Sequence, residues 1–471
     1  MEENNKGISK LGLIALVVTS SIGSGIFGTT SDLASSAAPG PALLAWGIVG
    51  IGILGLVLSL NNLGAKRPDI TCGIFGYAEA SFGKLGGFIS GWGYWLSAWL
   101  GNVAFATMMM SAIGFFIPTF KGGQNIPSII LASICIWALT LLVNNGIESA
   151  SFINTIVTLC KLIPLFAFIV IALISFKSGI FTQSFWNNML ANAQNAAGNS
   201  VWEQIKGCLM VMMWVFVGVE GASVLSSRAK NRSDAQQASI IGFVSLLIIY
   251  IFASILPYGL MTQAELANLS QPAMANILKE VVGSWGAIMI NLGLIISIIG
   301  AWLSWTMLPA ETTMLMAKEG MLPKVWGKVN DKNAPTFSLV VTAILTNLFL
   351  LSFLFTDYAY GVAYSLCTAA ILISYLLVGI YQIQYSYQHG EYGQLVIGMI
   401  AAGFQLMGIT LAGVNYVLLC SVAYLPGFYF YILSCKERNH KLLLKEKIVI
   451  GLISLAAICS IILLFTGKIS V

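Results

Sequence analysis

The sequence predicts an all-α polytopic membrane protein whose spans form an inverted repeat with two broken helices. Three observations predict it: the scarcity of charge, a regular series of apolar stretches, and glycine-rich interruptions in the first and sixth of them. Of 471 residues, 58% are hydrophobic and 9% charged, whereas a globular domain carries roughly 25% charged residues. Water is therefore not the main solvent. The net charge of +5 matters for where the positives sit and does not point to nucleic acid. The eight cysteines lie singly in mostly apolar segments without CxxC spacing, so they read as packing residues rather than as a disulfide or zinc framework. His389 and His440 are far apart, which argues against a His-based metal site. No cofactor is expected.

Crossing about 30 Å of hydrocarbon takes about 20 apolar residues in a helix. Stretches of that kind fall near 11–36, 41–64, 86–117, 127–145, 150–176, 203–227, 237–260, 283–317, 337–355, 359–383, 395–413, 415–434 and 447–467. That makes twelve spans and a thirteenth at the C-terminus. The first lacks a small-residue cleavage site and reads as a retained helix rather than a signal peptide. No connection is long enough for a separate soluble domain, so function belongs to the membrane bundle.

Orientation follows from Lys and Arg in alternating connections. With the N-terminus in the cytoplasm, seventeen of the 23 positives fall on the cytoplasmic side, five on the other, and Lys161 lies within a span. The expected product is a multi-pass cell-membrane protein in contact with lipid, its N-terminus inside.

The first span carries Gly23-Ser24-Gly25 with Gly28 close behind. Each mid-helix glycine weakens a helix by about 1 kcal/mol, and unwound backbone at membrane depth persists only where it lines a cavity or is buried in protein. Close packing through small residues is the competing reading. The sixth span repeats the pattern in Gly218-Val219-Glu220-Gly221, 195 residues and five spans later. An odd number of spans inverts the second copy, and paired interruptions in inverted halves point to a substrate site at the midplane. The N–H groups starting at Gly25 suit a carboxylate, and the carbonyls ending near Val217 suit an ammonium. Together they suit an α-amino acid.

Several motifs resemble the amino acid-polyamine-organocation transporters, and within them the basic amino acid antiporters: Ile22 to Phe27, Arg67-Pro68-Asp69, Gly91-Trp92-Gly93-Tyr94-Trp95, Gly101-Asn102, Trp214 to Glu220, Trp305 and Gly320 to Pro323. The similarity covers the first twelve spans. It implies a LeuT-type 5+5 inverted repeat with helices 1 and 6 broken, and alternating access. Residues 1–434 would form the transporter domain, with repeats over about 11–176 and 203–383 and added helices over 395–434; residues 435–471 would supply a basic cytoplasmic linker and the extra span. By the same resemblance Ser21, Ser24 and Gly25 would meet the substrate carboxylate, with Ile22 and Gly23 also in the substrate-binding segment, and carbonyls near Val217 and Gly218 would meet its ammonium. Ala98 and Asn102 would line the side-chain pocket, Trp214 and Trp305 would stack on the substrate, and Tyr94 would gate the outer side.

Three ionisable residues lie inside spans and are functional candidates because insertion is costly. Glu220 either accepts hydrogen bonds from unwound backbone or senses protons and couples occupancy to gating. Lys161 either snorkels or, as in some relatives that the resemblance brings in, takes the place of a bound sodium ion beside the first span. Glu311 either draws a cationic substrate inward or pairs with a loop lysine. Gly50 to Gly55 fits GxGxxG without a preceding strand and reads as helix packing. Gly87 and Gly91 fit a small-residue pair, read as contact within the chain, with a homodimer as the alternative. The resemblance thus implies an antiporter that exchanges an external basic amino acid for an internal product, arginine for ornithine first and histidine for histamine second; the alternative is a proton-coupled amino acid symporter. A membrane enzyme lacks the clustered ligands or nucleophile-base pair it would need.

Overall fold

The computed structural model describes residues 10, 14, 17, 18, 21–70, 72–146, 150–190, 200–220, 232–355 and 359–469, with backbone alone for 150–160, 232, 235 and 412. Every regular element among them is helical. The longer helices are α1 (Gly25–Ser36), α2 (Pro39–Lys66), α3 (Ile74–Phe116), α4 (Ile126–Asn144), α5 (Ala150–Ile174), α6 (Val201–Trp214) and α7 (Arg232–Ile255). Then come α8 (Ala273–Val282), α9 (Ser284–Lys318), α10 (Thr336–Ser352), α11 (Ala359–Gln388), α12 (Tyr392–Met407), α13 (Val414–Glu437) and α14 (Leu444–Phe465). Among the described residues ten helices are long and apolar enough to cross a membrane by length and composition.

Two helices fall short of a full span. Apart from single helical residues up to Ser21, the first span is described as the 12-residue α1, and the sixth as the 14-residue α6 followed by turns to Glu220. The rest of the sixth span, from residue 221, and most of residues 11–20 lie outside the described residues. Proline sets the boundary after α1: Ala37 turns extended, its N–H closes on Leu33, and Pro39 opens α2 at a position where a missing N–H costs nothing.

The chain divides into two compact units. The first comprises residues 1–66, 105–128 and 149–301. In it α1 packs against α6, α7 and α8, and α2 against α6 and α7. A buried aromatic group sits at its centre: Phe216 lies edge-on to Trp46 at 6.2 Å and to Tyr250 at 5.2 Å. Trp46 Nε1 donates to Ser254 Oγ at 2.9 Å, which satisfies the one polar atom of that indole.

The second unit comprises residues 67–104, 129–148 and 302–471. Here α11 packs on α12 and α13, and α13 on α14. Its core is aromatic, with Trp92 and Trp95 at 4.5 Å and Trp326 edge-on to Trp95 at 5.7 Å. Gly93 permits close approach, because a Cβ there would meet the Tyr424 hydroxyl at 2.7 Å and the Ala370 carbonyl at 2.9 Å.

The helices differ from the expected spans mainly at their polar ends. α3 is broken at Gly83, where φ is 74°, so its long part starts close to the expected residue 86 and a short helix from Ile74 precedes it. Glu79 lowers the hydropathy of that short helix without lowering its helix propensity. α8 was not expected; its buried Met274, Ile277 and Leu278 share one face, and ten residues are too few to register as a span.

Candidate functional site

In the first unit the backbone is interrupted over residues 22–24 and turns helical again at Gly25. Ile22 N–H reaches Val18 at 3.2 Å, and Gly23 N–H turns back to Ser21 at 3.1 Å. The first N–H groups of α1 are those a helix leaves without internal partners. Beside them the hydroxyls of Ser21 and Ser24 are buried without a hydrogen-bond partner among the described residues. A helix N-terminus with unsatisfied hydroxyls is a ready anion site.

Two side chains hold the carbonyls of this break. Tyr250 Oη donates to Ser21 O at 3.1 Å, and Lys161 Nζ donates to Ile22 O at 3.2 Å. Lys161 is only 2% exposed, so it does not snorkel.

The second interruption follows α6. Phe216 N–H bonds to Met213, Val217 N–H to Trp214 and Val219 N–H to Phe216, each at 3.1 Å, so the ladder tightens after Trp214. Gly218 takes φ 104°, a conformation that favours glycine. Its N–H goes to Glu220 Oε2 at 3.1 Å instead of closing onto Val215. Glu220, 2% exposed, therefore supports the unwound segment directly.

The structure brings the two interruptions together. A Cβ at Gly25 would lie 2.9 Å from both Trp214 Nε1 and Val215 Cγ1, and one at Gly23 would lie 2.9 Å from the Phe105 ring. Phe105 packs on Trp214 at 6.0 Å. Without a Cβ at Gly23 and Gly25, these side chains pack directly onto the backbone of the first interruption. Phe105 and Tyr250 were missed in the sequence; the signal for Phe105 was its position three residues after Asn102 on α3.

In the second unit Tyr94, Ala98 and Asn102 recur every four residues on α3, one face of the helix, and all are buried. Asn102 Nδ2 donates to the Trp305 carbonyl at 3.0 Å, and Asn102 Oδ1 is buried without a partner among the described residues. Trp305 on α9 is buried too. Glu311, two turns further along, departs from the other two intramembrane charges: it is exposed. Exposure of this carboxylate is compatible with both roles expected of it, drawing a cationic substrate inward or pairing with a loop lysine. Among the described residues no group of three His, Cys, Asp or Glu is placed to hold a metal ion.

A multi-pass helical membrane protein with an interrupted first helix, two buried hydroxyls at the restart and buried aromatics is of the transporter class. The family model for amino acid permeases matches residues 8–467, and the chain belongs to that family. Its relatives place it among the basic amino acid antiporters. It is 58% identical to an arginine/ornithine antiporter of Latilactobacillus sakei, over 99% of each chain. It is 44% identical to one from Lactococcus lactis subsp. cremoris, covering 98% of this chain and 90% of the relative. An arginine/agmatine antiporter of Chlamydia caviae is 38% identical, covering 99% of this chain and 98% of the relative.

Proposed function

We propose that this protein is an obligate exchanger that takes up arginine and releases ornithine. The observation that carries the reading is the 58% identity across 99% of an arginine/ornithine antiporter. The local chemistry agrees with it. Ser21, Ser24 and the start of α1 would receive the α-carboxylate, and the carbonyls from Val215 to Gly218 the α-ammonium. Trp214 and Trp305 would stack on the cationic side chain, an attraction worth about 0.5 to 2 kcal/mol, with Asn102 Oδ1 as an acceptor and Ala98 leaving it room. Tyr94 would close the outer side.

Arginine and ornithine both carry one positive side chain, so their exchange needs no other ion. Lys161 on the Ile22 carbonyl would stand where a sodium ion could otherwise bind, and Glu220 would tie occupancy of the second interruption to gating. Spans 1 to 5 and 6 to 10 would form the inverted repeat, with twelve spans and α14 as a thirteenth and the N-terminus in the cytoplasm. Counterflow in proteoliposomes tests the function. Labelled arginine should accumulate only in vesicles preloaded with ornithine; uptake into empty vesicles driven by a proton gradient would establish the symporter instead.

A further inference from the structure

The second unit contains a cavity of about 450 Å³ lined by Arg67, Ser81, Tyr381, Gln384, Tyr385 and His389, with Ala80 and Gln388 completing it. None of the lining residues is Asp or Glu, and Arg67 carries the one permanent charge among them. The walls are aromatic. Tyr381, Tyr385 and His389 follow one another at four-residue intervals on α11, with the His389 ring stacked on Tyr385 at 4.0 Å and Tyr385 packed on Tyr381 at 6.3 Å.

Arg67 is held on one side by a buried tyrosine and on the other by an exposed carboxylate. One Nη donates to the Tyr381 hydroxyl, and the guanidinium lies 5.9 Å from the centre of that buried ring. Its remaining fork grips Asp69, with Nε to Oδ1 at 2.8 Å and Nη2 to Oδ2 at 2.6 Å. The Asp69 side chain is 61% exposed, so water and dissolved anions reach the pair and another anion can compete for the fork. A planar fork set for two parallel acceptors matches a phosphate as well as a carboxylate. Neutral donors stand ready beside it: Ser81 donates to Gln384 Oε1, which leaves the Gln384 amide N–H groups to face other acceptors, and Gln388 adds a second amide. A cation is poorly served here, because Arg67 already occupies the face of Tyr381.

We propose that this cavity binds a phosphate-bearing ligand, the phosphate replacing Asp69 on the Arg67 fork while the Tyr381–Tyr385–His389 wall packs against the rest. Asp69 is then the internal anion that occupies the fork when no ligand is bound. The site is separate from the residues assigned to exchange and does not depend on that assignment.

The shared chemistry allows two sources, a soluble phosphate compound or a lipid headgroup. Full-length protein in phosphatidylcholine nanodiscs would be titrated with inorganic phosphate by calorimetry, against chloride. In parallel, phosphatidic acid retained on the detergent-purified protein would be counted by native mass spectrometry against phosphatidylcholine. Arg67→Gln should weaken binding about tenfold or more, and Asp69→Asn should tighten it about threefold by removing the competitor. Gln388→Glu, at an exposed position that spares folding, should weaken it by adding a carboxylate to the wall. This ordering with inorganic phosphate assigns a soluble ligand; the same ordering with phosphatidic acid alone assigns a headgroup. Binding of neither probe, or binding that Asp69→Asn and Gln388→Glu both leave unchanged, would overturn the proposal.

Discussion

Lys161 Nζ donates a hydrogen bond to the carbonyl oxygen of Ile22 at 3.2 Å, 139 residues away in the chain and at the point where the first span is interrupted. This bond satisfies a carbonyl that helix geometry has abandoned. Without it a buried acceptor would be left unmet, at a cost of about 1 to 3 kcal/mol. Lys161→Met should therefore lower arginine–ornithine counterflow about tenfold or more while the protein still inserts. In the wild type, replacing sodium by choline should leave counterflow unchanged; a requirement for sodium would remove Lys161 from the role proposed for it.

Glu220 and Gly218 allow backbone support to be separated from proton sensing. Glu220→Gln keeps an oxygen for the Gly218 N–H at 3.1 Å, so the segment should hold, but a carboxamide does not titrate. Counterflow measured across pH should become flatter in this variant, and a profile identical to the wild type would exclude proton sensing. Glu220→Ala should lower counterflow at every pH, because it strands a buried N–H at about 1 to 3 kcal/mol.

Gly25 and Gly47 make a matched pair. A Cβ at Gly25 would press on Trp214 and Val215 at 2.9 Å, whereas a Cβ at Gly47 would meet nothing within 4 Å. Gly25→Ala should cut counterflow about tenfold or more through overpacking of about 1 to 3 kcal/mol. Gly47→Ala should leave it intact and raise thermal stability by up to about 1 kcal/mol through helix propensity.

Trp305 and Asn102 should behave as a unit. Asn102→Leu removes the donor to the Trp305 carbonyl and the unpaired Oδ1 together. Trp305→Leu removes the ring. Each should raise the KM for arginine while surface expression stays level, and the double variant should lose less than the sum of the two, as contacting residues do. Full additivity would argue against a shared role.

Outside the spans, the Arg67 side-chain bond holds the Asp69 carboxyl below its ordinary pKa. A depressed folded value means that the pair stabilises above the unfolded pKa of about 3.9 and loses that contribution as pH falls through the lower folded value. The difference in Tm between wild type and Asp69→Asn should be small at pH 7, since the pair is exposed, and should shrink as pH falls below about 3.9. A difference that grew on acidification would contradict the pairing.

Much of this could be read in the chain. Gly23, Gly25 and Gly218 marked the interruptions because glycine in mid-span is costly unless a close approach or a positive φ requires it, and both conditions are met here. Lys161 and Glu220 stood out because charge inside a span is expensive. Glu311 stood out for the same reason, yet lies exposed. Position along a helix does not reveal which way a side chain faces. The short helix ahead of the Gly83 break was obscured by Glu79, since hydropathy reads solvent preference rather than backbone conformation.

The sequence by itself determined a helical membrane protein, the places where its first and sixth spans fail, and the residues of amino-acid type at those places, because hydrophobic length and glycine content are local properties. Only the tertiary structure decided that Lys161 meets Ile22, that Tyr250 meets Ser21, that Phe105 and Trp214 close over the glycines, and that Arg67 is held by Tyr381 beside an open cavity. These are pairings across as many as 314 residues. They arise from which helix faces meet, and that depends on packing the whole chain at once.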